Sequence, residues 1–274
     1  MNNILQDLSP KCLITAIEEN LFSWITVFGR IWESRVNDPP GVIRSVSDVP
    51  MSLFNSVMDA QLEQEDTDST IQYIISDAGL RKVPALWWVC PSSRPADLAK
   101  RLLENGFTVD EDGPGMAVAL ENLNVDLPLP SGLSVREAQD DASQWEWCRT
   151  MAMGFEVPAA RVDFAMNSWH DLLSQVDPEI TQAYIAWLDG EPVATSLLQL
   201  GGGVAGIYVV ATIPEARRNG VGAQVTLYPL LQARARGYKV GVIEASEMGF
   251  GVYQSLGFKE YCRICSYVWR AESS

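Results

Sequence analysis

Several things are scarce in this chain, and each scarcity excludes a class of function. There is one histidine, His170. A histidine-rich metal centre or a zinc site of paired cysteines and histidines therefore has no basis, and no metal is expected. The five cysteines are odd in number and scattered, so a disulfide framework is not expected and a reducing cytoplasm is the expected compartment. Cys262 and Cys265 form a lone Cys-x-x-Cys across predicted strands rather than at a helix start, and read as structural. No apolar run approaches the ~18 residues that a membrane span needs. The opening MNNILQDLSPK lacks the basic-then-apolar order of a secretory signal. Positive charge is also short: the formal net charge is −15, which argues against nucleic-acid binding because phosphate contacts need a positive face.

One stretch reverses the shortage. From Ala216 to Ile243 there is no acidic residue, yet Arg217, Arg218, Arg234, Arg236 and Lys239 fall within it. A positive strip on an acidic protein points to an anion site. At its start stands PEARRNGVGA (214–223), between the β-branched run GIYVVATI and the helical-looking QVTLYPLLQARARG. The first turn of a helix leaves backbone N–H groups unpaired and carries partial positive charge. Glycines let a pyrophosphate approach without meeting a Cβ atom, and arginines add donors at the rim. A P-loop would need Gly-Lys-Ser/Thr, and a dinucleotide fold would need a third glycine after an early strand. Neither pattern is present.

The rest of the chain supplies the context. ENLNVDLPLPSG (121–132) reads as a linker, splitting the chain into 1–126 and 127–274. In the second part LSVREA reads as a strand, and DDASQWEWCRTMAM and AARVDFAMNSWHDLLSQV as helices. A hairpin turning at Asp189-Gly190 follows. Then come the strand GIYVVAT, the helix after Gly222, the strand KVGVIEA, a short helix through Tyr253, and two closing strands, FKEYCR and CSYVW. Pro229 falls inside the helix after the cradle, where a kink or an early end is expected, since its ring opposes the carbonyl of Val225. The first part carries a weaker copy of this ending: helix DSTIQYIISDAGL with Asp66 or Thr67 as cap, strand PALWWVCP, helix RPADLAKRLLENGF, then TVDEDGPGMAVAL as a hairpin. It has no counterpart of RRNGVG. Most of the tryptophans read as core. Trp145, Trp147 and Trp169 stand on the two predicted helices that follow LSVREA, and His170 reads as a surface or packing residue.

VVATIPEARRNGVGA resembles the acetyl-CoA signature of the GNAT superfamily of N-acetyltransferases, an Arg/Gln-x-x-Gly-x-Gly/Ala turn between strand and helix. VYQSLGF resembles the Tyr-x-x-x-Gly-Phe segment that often follows it, and LSVREAQDD looks like the family's first strand and helix start. The resemblance covers most of 132–270 and implies an α/β (α+β mixed sheet) protein with two GNAT-like domains, each a mostly antiparallel twisted sheet flanked by helices. It implies a degenerate domain over 1–126 and a working acetyltransferase domain over 127–274. It implies acetyl-CoA as acyl donor and a small-molecule or peptide primary amine as acceptor. Val210, Ala211 and Thr212 would pair with the pantetheine arm, and Arg217, Arg218, Asn219, Gly220, Val221, Gly222 and Ala223 would hold the pyrophosphate. Ser246 would contact the arm, and Tyr253 would touch the donor and protonate the leaving thiolate. Glu244, with Glu247 and Glu156 as alternatives, stands where a base could act. A sensor that binds acetyl-CoA or another acyl-CoA without turnover remains the rival reading, and monomer and homodimer are both open.

Overall fold

The computed structural model describes residues 4–271 except 33, 37 and 38. Its elements run in chain order as α1 (Pro10–Trp32), β1 (Ser34–Val36), β2 (Ile43–Ser45), β3 (Ser56–Met58), α2 (Thr67–Arg81), β4 (Ala85–Val89), α3 (Leu98–Glu104), β5 (Thr108–Ala119), β6 (Leu133–Glu137), α4 (Asp141–Gly154), α5 (Ala159–Leu173), β7 (Thr181–Leu188), β8 (Glu191–Gly201), β9 (Val204–Thr212), α6 (Val221–Ala235), β10 (Val240–Glu244), α7 (Glu247–Ser255) and β11 (Lys259–Trp269). Among the described residues no helix is long and apolar enough to cross a membrane.

The chain forms two compact units, and neither is a simple half. One comprises Met1–Asn20 with Met116–Glu260, the other Leu21–Gly115 with Tyr261–Ser274. A cut between 126 and 127 therefore misses both boundaries. In the second unit the end of the chain lies beside β4, pairing antiparallel from Cys265↔Val89 to Trp269↔Ala85. Tyr267 belongs to the same apolar cluster as Val57, Ile71, Ile74, Trp87 and Phe107. The strand that completes this core is thus supplied from the far end of the sequence, which local pattern cannot reveal.

Within the first unit the strands run β5-β10-β9-β8-β7-β6. The pairs β6/β7, β7/β8 and β8/β9 are antiparallel and β9/β10 is parallel. The expected mixed, mostly antiparallel sheet is present. Asp189 and Gly190, both at positive φ, close the β7/β8 hairpin as Asp-Gly turns require. Leu198, Leu200 and Ile207 pack with Leu227 and Leu230 of α6. The helix α1 adds a polar anchor: the buried Asn20 amide donates to the carbonyls of Gln199, Gly201 and Val204 and accepts the Tyr208 hydroxyl at 2.8 Å. A Cβ at Gly206 would sit 1.9 Å from that amide oxygen, so glycine is required there.

Two stretches of the chain share an order of parts. In one, β9, α6, β10, α7, a positive-φ glycine (Gly257) and β11 follow one another; in the other, β3, α2, β4, α3, Gly106 and β5 do so. β3 and β4 are parallel, as are β9 and β10. The connections into the first helix of each series differ in charge. Arg217 and Arg218 precede α6, whereas Glu63, Glu65 and Asp66 precede α2 and Asp68 lies in its first turn. An anion attracted to one helix start is repelled at the other.

Several local expectations change. TVDEDGPGMAVAL is one strand, β5, not a hairpin, and the two closing strands are the single strand β11. Asp66 is the N-cap position of α2 but makes no side-chain cap bond; Thr67 Oγ1 instead donates to the Glu63 carbonyl at 2.8 Å. Despite Pro229, α6 continues to Ala235. The carbonyl of Val225, left without its helical donor, accepts the Ser196 hydroxyl at 2.6 Å. Cys262 and Cys265, three apart on one strand, point to opposite faces and cannot form a pair.

Candidate functional site

The site begins with a defect in β9. Val209 has φ 51°, a conformation that a β-branched residue rarely adopts. The β8/β9 register slips there: Leu197 faces Tyr208 while Thr195 faces Ala211, and Thr195 Oγ1 donates to the Val209 carbonyl at 3.3 Å. The parallel pairing with β10 ends at Ile207↔Ile243, yet β9 runs on to Thr212. Past the bulge its edge toward β10 has no partner strand among the described residues. Val210, Ala211 and Thr212 therefore line an open cleft of 850 Å³, within the usual range for small-molecule pockets.

At one end of the cleft α6 starts. Its N-cap Gly220 has φ 80°, and Arg218 before it has φ 61°. The N–H groups at the first helical positions have no acceptor within the helix and face outward with the helix dipole behind them. A Cβ on Gly222 would meet only Thr212 Oγ1, at 3.5 Å, so the space above the helix start is empty. Leu127 and Pro128, in the stretch read as a linker, form another wall, held by Gln224 Nε2 bonding to their carbonyls at 3.4 and 3.3 Å.

At the other end stands α7. Ser246 caps it by accepting the Gly249 N–H at 3.2 Å and also faces the cleft. Tyr253 lines the cleft while its ring is buried edge-on to Phe258, and burial pushes its hydroxyl well above the ordinary tyrosine range. It stays protonated at neutral pH. A Cβ on Gly249 would come within 2.7 Å of the Tyr253 ring, so this glycine makes room for the phenol.

The cleft gathers the expected Val210, Ala211, Thr212, Arg217, Arg218, Asn219, Gly220, Gly222, Ala223, Ser246 and Tyr253. It does not include Val221, whose side chain is buried in the core, or Glu244, which stands half-buried at the end of β10. Glu156 is 63% exposed beside Arg217 at 3.6 Å, and Glu247 is exposed in the first turn of α7. Among the described residues no carboxylate lines the cleft, and the charged residues that do line it are Arg217 and Arg218. The positive strip seen in sequence is not one surface. Arg234 bonds the Leu120 carbonyl, Arg236 bonds Glu179 and Lys239 bonds Gln6, at or beyond the far end of α6. Trp147 and Trp169 are buried, Trp147 donating to the Ser196 carbonyl, and Trp145 stacks on His170, so none of the three lines the cleft. Phe155 and Met248, both exposed, do line it and carry no signal in the sequence beyond being apolar near a helix end.

A family model described as the Acetyltransferase (GNAT) family matches residues 140–258, the span holding the bulged strand, the glycine turn and Tyr253. That span is a GNAT domain. No curated protein matches the chain. Among solved structures, the chain is similar to a GCN5-related N-acetyltransferase from Kribbella flavida, with a TM-score of 0.70 at 18% identity over 93% of this chain and 96% of that one. It is similar to a GCN5-related N-acetyltransferase from Sphaerobacter thermophilus, with a TM-score of 0.61 at 17% identity over 84% and 76%. It is also similar to a tandem GNAT protein from the clavulanic acid biosynthesis pathway, with a TM-score of 0.58 at 13% identity over 85% and 79%. At these identities the likeness shows the GNAT fold alone.

Proposed function

We propose that the protein transfers an acetyl group from acetyl-CoA to a primary amine by direct attack, using the cleft of the 116–260 unit alone. The observation that carries this reading is the coincidence, in one cleft, of an unpaired strand edge, a glycine-opened helix start and a buried, protonated Tyr253. Residues and substrate fit in kind. The diphosphate of acetyl-CoA is an anion for the start of α6 and Arg218, and the amide groups of its arm match the open backbone edge at Val210 and Ala211, the Thr212 carbonyl being taken by Arg217. A backbone N–H at that edge can also polarise the thioester carbonyl as charge develops on its oxygen. Ser246 offers a hydroxyl to the arm.

In the reaction the neutral amine forms a bond to the acetyl carbon and the carbon–sulfur bond breaks. The departing thiolate takes the Tyr253 proton, and the proton lost by nitrogen returns to the tyrosinate through solvent. A phenol raised by burial is a weak acid in the resting site but faces a basic thiolate as the bond breaks, which is where general-acid assistance is needed. Glu244, outside the cleft lining, is the less suited base, and exposed Glu156 at the rim is the better one. The acid excess of the chain fits a cationic amine approaching from solvent.

Among the described residues the cleft is lined by no carboxylate, which favours one second reading, an acyl-CoA sensor without turnover. A single assay decides between them: CoA thiol release from acetyl-CoA across a panel of primary amines, for wild type and Tyr253→Phe. The enzyme reading expects amine-dependent release that falls about 10²-fold or more in the variant while acetyl-CoA affinity is kept. Equal turnover in both proteins removes Tyr253 from the mechanism, and tight acetyl-CoA binding with no release for any amine selects the sensor.

A further inference from the structure

We propose that Arg217 is a positioning residue that straps the end of the donor strand to the α4–α5 loop, and that Arg218 alone supplies side-chain charge to the donor diphosphate. The inference rests on the acyl-CoA reading of the cleft and reassigns one arginine within it. The guanidinium of Arg217 is already committed: Nε donates to the Thr212 carbonyl at 3.0 Å and Nη2 to the Gly154 carbonyl at 2.9 Å, with Glu156 Oε2 at 3.6 Å. Those carbonyls belong to two different elements. Thr212 is the last residue of β9, and Gly154 is the last of α4, where helix carbonyls have no helical donor.

The surroundings are built for the same junction. A Cβ on Gly154 would stand 2.8 Å from the Ala211 side chain and 3.1 Å from the Thr212 nitrogen, so α4 and β9 meet backbone to backbone. Glu156, two residues on, is held at φ 53°, and its carboxylate meets the remaining face of the guanidinium. Turning Arg217 toward a diphosphate would release two carbonyls and one carboxylate together. Arg218 has the opposite character: it is exposed, lines the cleft, and among the described residues its guanidinium has no partner. The pair RR therefore divides the labour. The first sets where the donor strand and the Glu156 loop stand relative to each other, and the second meets the anion.

The test compares Arg217→Gln, Arg217→Lys and Arg218→Gln in the full chain, with acetyl-CoA as probe. Calorimetry at two salt concentrations reads the anion contact, and amide hydrogen exchange of the ligand-free protein reads the strap. Loss of Arg218 weakens acetyl-CoA binding about tenfold or more and flattens its salt dependence, with exchange at 154–157 unchanged. Loss of Arg217 leaves affinity within about threefold and salt dependence intact, raises exchange at 154–157 without a general rise elsewhere, and lowers turnover of any amine accepted by the wild type. Lysine cannot grip two carbonyls with a planar fork, so Arg217→Lys behaves as Arg217→Gln in exchange; it also serves if the glutamine variant fails to fold. Equal loss of affinity and of salt dependence at both arginines, or unchanged exchange at 154–157 in both Arg217 variants, overturns the proposal. If the wild type does not bind acetyl-CoA at all, the functional reading falls, while the exchange comparison still decides the strap.

Discussion

Replacing Gly222 by aspartate separates folding from ligand binding, because the two respond with opposite sign. The ligand-free fold has room for the side chain: the nearest atom to a new Cβ is Thr212 Oγ1 at 3.5 Å, an ordinary contact, and the residue is the second of α6. A carboxylate in the first turn of a helix stabilises it by about 0.3–1 kcal/mol through the dipole. The same carboxylate projects into the space above the helix start. A phosphate charge about 5 Å away is repelled by on the order of 3 kcal/mol at an effective dielectric of 20, and less with solvent in the cleft. Two phosphate charges would double that, and solvent in the open cleft cuts the sum by more than half, so a net loss on the order of 2.7 kcal/mol, about 100-fold in affinity, is the expected scale. Gly222→Ala, which adds bulk without charge, should fall between wild type and Gly222→Asp. Thermal melting without ligand and calorimetric titration with acetyl-CoA check the two halves separately. An aspartate variant that melts no lower than wild type yet binds acetyl-CoA within threefold of it would refute the diphosphate assignment at α6.

Other outcomes follow from the same geometry. Asn20→Ala strips the amide from three strand carbonyls and from the Tyr208 hydroxyl, and should cost about 3 kcal/mol in denaturant unfolding; a cost under about 1 kcal/mol would contradict its role as anchor. Ser196→Ala leaves the Val225 carbonyl opposite Pro229 without a donor, and should lower stability by about 1–2 kcal/mol, a loss that Ser196→Ala shows only while Pro229 is present; combining it with Pro229→Ala, which restores the helical N–H, should recover most of it. Asp140 is held below the ordinary carboxylate range by the Ser143 hydroxyl and N–H in a capping box. Its folded value is depressed, so its contribution is present above the unfolded value and lost as pH falls through the folded one. The stability difference between wild type and Asp140→Ala should therefore be full at neutral pH and shrink below about pH 4. A gap that stays constant down to pH 2 would exclude the carboxylate as the source.

What was legible in the sequence was what local chemistry dictates. Asp189-Gly190 requires a hairpin, and Gly220 and Gly222 after a β-branched run mark a strand turning into a helix with an open start. Residues far apart in the chain carried the rest. Nothing in CSYVW says that it pairs with ALWWV, so the 126/127 cut put the last strand in the wrong unit. Gly113-Pro114-Gly115 has the composition of a turn but lies in extended backbone inside β5, because glycine accepts either conformation. The helix α1, whose Asn20 anchors the β8/β9 end, made no claim in the sequence pattern. Within the site, side-chain direction was the missing variable. Arg217 and Arg218 are identical residues side by side, yet one faces Thr212 and Gly154 and the other faces solvent. Pro128 lay in a segment whose prolines read as a linker, though its carbonyl and Leu127's are held against α6.

Titration of the full chain with acetyl-CoA in a calorimeter tests the central claim most directly. The charge contrast between the two helix starts, arginines before α6 and acids around the start of α2, predicts one site per chain. Two sites would contradict the assignment of donor binding to the 116–260 unit alone, and no binding would contradict the account of the cleft itself.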